Sequence, residues 1–178
     1  MKIYLAGASD EAEMVRDYAA RVVSLGHTIT WSWWESVLDN KAAGIPDTSL
    51  SADDRKWHAV TDLKAIRRAD VFWLLTPLTG GAGCFVELGA ALSAGAIVVS
   101  SGPWRTVFTE LCDHRFATHE DVLAWIESVS DAADGDADAF AALLKLDAPQ
   151  DTIALDDESE PARGDVVHVA LAANGGAT

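Results

Sequence analysis

The chain has 178 residues, 49% of them apolar, and a formal charge of −15; it can build one core, and its charge disfavours a nucleic-acid polymer or an anionic membrane surface, since both are bound through basic patches. The acidity is uneven, because residues 129–178 hold 11 acids and 2 bases, a net −9, against −6 for residues 1–128. Cys84 and Cys112 make neither a disulfide framework nor a CxxC pair, and no apolar run nears the roughly 20 residues that cross a bilayer, so a soluble, cytoplasmic protein is expected.

Residues 2–7 read as a buried first strand, and Met1-Lys-Ile-Tyr-Leu-Ala is not a signal peptide. Ser9-Asp-Glu-Ala supplies capping residues for a helix with Met14, Tyr18, Val22 and Leu25 at helical spacing, ended by Gly26. Residues 27–33 are expected to form a second strand. Residues 39–50, with Asn40, Gly44 and Pro46, read as a loop of a length that is often functional. Residues 51–69 predict a long helix with an apolar stripe of Ala59, Val60, Leu63 and Ile66.

Val71-Phe-Trp-Leu-Leu75 is a third strand, followed by a glycine loop and a helix that carries Glu87; residues 96–101 are a fourth strand. Residues 108–116 contain a short helix and a short strand, and Thr118 with Asp121 forms a capping box, Asp replacing Glu, for a helix through about Val129. Alternating strands and helices predict a single-domain α/β three-layer sandwich over residues 1–129. Its sheet is mostly parallel and Rossmann- or flavodoxin-like, with right-handed crossovers and helices on both faces. Residues 130–178 read as an acidic Ala/Asp-rich extension, with a helix expected at 137–146 and a strand at 165–171.

The strand, loop and helix around Leu78-Thr-Gly-Gly-Ala-Gly-Cys-Phe-Val-Glu87 place one carboxylate at the carboxyl edge of the sheet, where open α/β sheets bind ligands. Gly80, Gly81 and Gly83 allow close backbone approach, and the helix start is expected to favour ionised Glu87, the state a nucleophile needs. Its apolar neighbours Phe85, Val86 and Leu88 demand that it have a partner or a task. Tyr4 is either a core residue or a phenol that reaches the same edge. Asp62 reads as a surface acid paired with Arg67 or Arg68, or with His58 four residues earlier, and Asp70 as a capping acid at a helix–strand junction.

Trp31, Trp33 and Trp34 read as core or interface, with one able to stack on a base, and His58 beside Trp57 as a surface histidine. Cys84 reads as a small packing residue. His27, His114, His119 and His168 lack metal-ligand spacing with the cysteines, so neither a metal nor a cofactor is expected. The glycine loop has neither the Lys-Ser/Thr of a P-loop nor GxGxxG.

Three motifs occur in order over residues 1 to about 128: Ile3-Tyr-Leu-Ala-Gly7, Asp62-Leu-Lys-Ala-Ile-Arg-Arg-Ala-Asp70 and Gly83-Cys-Phe-Val-Glu87-Leu-Gly-Ala-Ala. Together they resemble the nucleoside 2-deoxyribosyltransferase-like superfamily, which includes deoxynucleoside monophosphate N-glycosidases. The resemblance implies that Glu87 attacks the anomeric carbon, Tyr4 orients it, and Asp62 assists binding and protonation at the base. Gly7, Ser9, Thr79, Gly81 and Gly83 would bind substrate, Ser9 and Thr79 through hydroxyls. It also implies a homodimer or larger homo-oligomer, with the segment Trp31-Ser-Trp-Trp34 as a candidate interface.

The chain departs from the pattern at Gly81, where the transferases carry an aspartate that contacts the base and the monophosphate hydrolases a serine that contacts phosphate. It departs again at Gly7-Ala-Ser-Asp-Glu-Ala, which replaces the hydrolases' phosphate segment. Asp10 and Glu11 there would repel phosphate and favour a nucleoside. The leading expectation is N-glycosidic cleavage of a nucleoside through a glycosyl-glutamate, with transfer to another base ahead of hydrolysis. The alternatives are hydrolysis of a modified deoxynucleoside monophosphate or another N-glycoside such as NAD, and a non-catalytic nucleotide-binding module.

Overall fold

Strand β1 (Lys2–Ala6) pairs on one side with β2 (Thr28–Ile29) and on the other with β3 (Val71–Leu75); β4 (Ile97–Ser101) and β5 (His114–Phe116) follow outward. All four pairings are parallel and the order is β2-β1-β3-β4-β5. The computed structural model describes residues 1–46, 49–103 and 105–133, and the elements expected at 137–146 and 165–171 lie outside them.

Alternation along the strands sorts side chains into two cores. Ile3, Leu5, Val71, Trp73, Leu75 and Val99 pack with α1 (Ala12–Ser24) and α5 (His119–Ala133). Tyr4, Ala6, Phe72, Leu74 and Val98 pack with α3 (Ala52–Ile66) and α4 (Ala82–Ala94). The expected three-layer sandwich is therefore present. All five residues of β3 are buried, as a central parallel strand covered on both faces requires. The chain runs from β1 outward to β2 and then returns past β1 to β3. Connections thus leave β1 and β3 in opposite directions, which opens a crevice at their carboxyl ends.

Several local signals act as the sequence implies. The capping box closes reciprocally, Asp121 N donating to Thr118 Oγ1 at 3.2 Å and Thr118 N to Asp121 Oδ2 at 3.1 Å. Asp70, expected as a capping acid, instead accepts from Lys2 N at 2.7 Å, which ties the start of β3 to that of β1. Ser51 caps α3 by accepting from Asp54 N at 3.1 Å.

Two expectations are corrected. The second strand is two residues long rather than spanning 27–33, and helix α2 (Trp33–Ala42) occupies its end and the start of the expected loop. Among the described residues β2 is an edge strand bonded only to β1, and the chain leaves it to bring its tryptophans inward. Trp34 is buried in the α1-side core, and Trp33 Nε1 donates to Leu5 O at 2.8 Å. Trp31 packs against the core on the other face, so all three tryptophans of the suggested interface segment are used within the fold.

In α3, the proposed apolar stripe is not the buried face: only Ala65 and Ile66 are buried, while Trp57, Val60 and Leu63 are exposed. Its amino-terminal half overhangs the crevice instead of lying on the sheet, so its inward face there carries His58 and Asp62.

Gly7 fixes how closely α1 approaches the end of β1, since a Cβ there would lie 2.7 Å from Val15 Cγ2. Gly7→Ala is expected to destabilise the fold by about 1–3 kcal/mol through overpacking. In Gly7→Ala/Val15→Ala the loss should be smaller than the sum of the two single losses, as read by urea unfolding; strict additivity would contradict this contact.

Candidate active site

Helix α4 begins from a loop that folds back on itself. Gly81 caps the helix at φ 70°, and a Cβ there would lie 2.5 Å from Pro77 Cγ, so both backbone sign and space demand glycine. Arg105 donates to the Pro77 carbonyl at 2.8 Å and also to that of Leu78. Leu78 N donates to Glu11 Oε1 at 3.2 Å. The loop is therefore held from the β1 side and from the β4–β5 connection.

Glu87 lies in the second turn of α4, on the side that meets β1. Tyr4 Oη donates to Glu87 Oε1 at 2.9 Å. The phenol is fixed by complete burial and by stacking on Phe72, with ring centroids 5.7 Å apart and planes 6° from parallel. Burial pushes the Glu87 carboxyl up to about 8; the Tyr4 bond pulls it down, and the charge of Asp62 raises it further. The expectation that the helix start keeps Glu87 ionised is thereby corrected. Glu87 sits beyond the free amides of the first turn, and desolvation outweighs the dipole. Burial, then the nearby carboxyls of Glu87 and Asp62, raise the Tyr4 phenol far above its ordinary value, so it remains a donor.

Asp62 comes to the same place from α3. Its carboxyl is raised by burial, against which His58, Tyr4 and Trp31 act. It makes no ion pair with Arg67 or Arg68, and its Oδ1 is buried with no hydrogen-bond partner. Glu87 and Asp62 open into a cavity of about 620 Å³, within the range that holds small ligands.

Gly7, Ser9, Gly81 and Gly83 line this cavity as expected, whereas Thr79 stays exposed on the loop outside it. Cys84 also lines it, but its thiol donates to Gly81 O at 2.8 Å and burial raises it to about 12, in keeping with a packing role. Asn40 and Arg55 also line it and were not singled out for the site; Asp10, considered only as a group that repels phosphate, Trp33, one of three tryptophans able to stack on a base, and His58, considered only as a surface partner of Asp62, line it too. Asn40 was hidden because α2 was read as strand and loop. The available signal for His58 was its i,i+4 spacing from Asp62, which puts both on one face. Among the described residues no group of His, Cys, Asp and Glu is arranged to hold a metal ion.

No protein-family model and no curated protein matches the chain. Among solved structures, it is similar to a 2-deoxyribosyltransferase from Bacillus psychrosaccharolyticus, with 22% identity and a TM-score of 0.53 over 69% of this chain and 90% of that one. A second likeness is to the CMP N-glycosidase BcmB of Clostridium botulinum, with 13% identity and a TM-score of 0.48 over 72% of this chain and 98% of that one. The chain shares the fold of the 2-deoxyribosyltransferase.

The raised Glu87 carboxyl has a stability consequence. An unfolded Glu releases its proton near 4.5 while the folded one holds it to about 8, so the contribution of Glu87 to stability is fullest below 4.5 and is lost as pH rises through that window. Glu87→Gln should remove this dependence, its stability relative to wild type rising between pH 5 and pH 8 in denaturant titrations. A constant difference across that range would refute a buried, proton-retaining Glu87.

Proposed function

We propose that this protein is an enzyme that cleaves the N-glycosidic bond of a nucleoside or related N-glycoside, with glycosyl transfer to a second base ahead of hydrolysis. The observation that carries the reading is the 2.9 Å Tyr4–Glu87 hydrogen bond at the edge of a ligand-sized cavity that also holds Asp62. The three-motif resemblance and the fold shared with a 2-deoxyribosyltransferase support it.

In this reading Asp62, as the neutral acid, gives its proton to a ring nitrogen of the base. The C1′–N electron pair leaves with that base, and the Glu87 carboxylate attacks C1′ to form a glycosyl ester. A nitrogen of a second base, or water, then attacks C1′ and releases the Glu87 carboxylate, the proton of that nucleophile passing to the Asp62 carboxylate. Tyr4 holds Oε1 and leaves the other oxygen for the sugar. Its hydrogen bond favours negative charge on Glu87 and so opposes the rise that burial and the charge of Asp62 impose; the productive form in this reading is the one with Glu87 ionised and Asp62 protonated. A homo-oligomer belongs to the same reading, with Trp57, Val60 and Leu63 as the exposed apolar side chains of α3.

One observation favours a phosphorylated substrate as the second reading. Arg55 lines the cavity and donates to the Leu50 carbonyl, and among the described residues it forms no ion pair. Of the two acids expected to repel phosphate, Asp10 lines the cavity while Glu11 is turned to the Leu78 amide.

Nucleosides and their monophosphates incubated with protein, with and without an added free base, decide among these by chromatography. Release of base by wild type, lost about 10³-fold or more in Glu87→Ala, is the expected result. A new nucleoside formed with the acceptor selects transfer, and turnover confined to monophosphates selects the second reading. Binding without turnover across the panel would overturn the enzyme reading.

The acid limb of kcat/KM should rise with pH through about 8, as the nucleophile of the free protein ionises. Tyr4→Phe should lower kcat by roughly 10- to 100-fold and move that limb upward, because it removes a donor that favours the charged carboxyl. A profile unchanged by Tyr4→Phe would contradict the role given to the phenol.

A further inference from the structure

Two buried polar atoms near the cavity lack partners and are of opposite kind: the acceptor Asp62 Oδ1 and the donor Trp31 Nε1. The elements bring their residues together. Trp31 follows β2 and packs into the core on the Tyr4 side of the sheet, where its ring meets Trp57 of α3 edge-on with centroids 5.7 Å apart. Trp57 in turn meets His58 edge-on at 5.0 Å, and Asp62 stands one helical turn after His58. A buried indole N–H without an acceptor is costly, and so is a buried carboxyl oxygen without a donor. Neither can turn to water, because both atoms are inaccessible.

We propose that Trp31 is a positioning residue for Asp62, its indole N–H closing onto Oδ1 when Asp62 becomes a carboxylate. The proposal rests on the glycosidic reading above. In the free protein both atoms stand without a hydrogen-bond partner. When Asp62 transfers its proton to the departing base, a negative charge remains in a desolvated place. The base keeps the proton and the C1′–N electron pair, Glu87 carries the sugar, and the charge left on Asp62 is met by Trp31 N–H. A charge-assisted hydrogen bond is stronger than a neutral one, so the interaction forms as the bond to the base breaks.

The groups around Asp62 fit this division. Tyr4 from β1 is engaged with Glu87 of α4, while His58 and Arg55 share α3, and Asp10 lies on the far wall after β1. Tyr4 and Trp31 are the uncharged donors among them, and of the two Tyr4 is the one committed to Glu87. The neighbourhood of Trp31 to the carboxyl is also felt in the free protein, where Trp31 opposes the rise that burial imposes on Asp62. The stack on Trp57 keeps the ring edge oriented without using its N–H.

The test is Trp31→Phe, which keeps an aromatic ring and deletes the N–H. With carboxyl-labelled aspartate, NMR titration should show Asp62 shifted upward by about one pH unit, a tenfold change in its proton affinity. kcat should fall about tenfold with KM unchanged, and the fall should be steeper for bases that leave poorly, because those need the proton most. An unmoved Asp62 titration, or a kcat loss equal for good and poor leaving bases, would overturn the proposal.

If Trp31→Phe does not fold, the indole N–H resonance of Trp31 in the wild-type fold serves instead. It should move with the titration of Asp62 and lose that step in Asp62→Asn, and a pH-independent resonance would overturn the proposal. Failure of the wild type to release any base would count against the glycosidic reading alone, since both titrations read the indole–carboxylate contact without turnover.

Discussion

Everything in the cavity depends on one topological constraint, the switch in strand order between the parallel neighbours β1 and β3. These strands are neighbours in register, Tyr4 opposite Phe72, yet their following connections diverge to opposite sides of the sheet. No crossover covers the carboxyl ends between them. The segment after β1 and the glycine loop after β3 therefore become the two lips of an opening, and α3 closes it from above. The same adjacency lets a side chain of β1 reach a side chain of α4, although 83 positions separate Tyr4 from Glu87.

The opening has a desolvation cost. α4 presents Cys84, Leu88 and Ala91 to the sheet, and Glu87 lies at the margin of that apolar face. A carboxyl in such a place resists ionisation, and a second carboxyl nearby strengthens the resistance. Tyr4 works the other way: its phenol cannot readily ionise where it is buried, so it remains a permanent donor aimed at one oxygen. Burial thus makes the acid reluctant to lose its proton while the hydrogen bond prepares the charged form.

Helix α3 contributes differently from the other helices. Only its last turn is anchored in the core, by Ala65 and Ile66, and the rest is a wall whose inner face is polar. Its contact with Trp31 through Trp57 links that wall to the end of β2. Residues from an edge strand, a central strand and two helices therefore converge, and none of these elements forms the site alone.

Much of the framework was legible in the sequence because it depends on short-range chemistry. The run Val71–Leu75 and the capping box at Thr118 and Asp121 carry signals complete within a few residues, and Cys84 behaves as its neighbours imply, whereas Asp70 accepts from Lys2 of β1 instead of capping its own helix. The strand–glycine–helix pattern placed Glu87 at the sheet edge without knowledge of the strand order. The Trp33–Ala42 helix was not legible, since the length of an edge strand is set by its single partner and by where Trp33 and Trp34 find cover.

The inward face of α3 was misjudged for a related reason: helical periodicity ranks apolar positions, whereas this helix overhangs a cavity and turns His58 and Asp62 toward it. The protonation of Glu87 was beyond sequence as well, because desolvation is summed over every element that excludes water. Sequence alone determined which residues could do chemistry and which local turns would present them. Tertiary structure decided which of them meet and in what state of charge, because distance across the sheet and loss of water are properties of the packed whole.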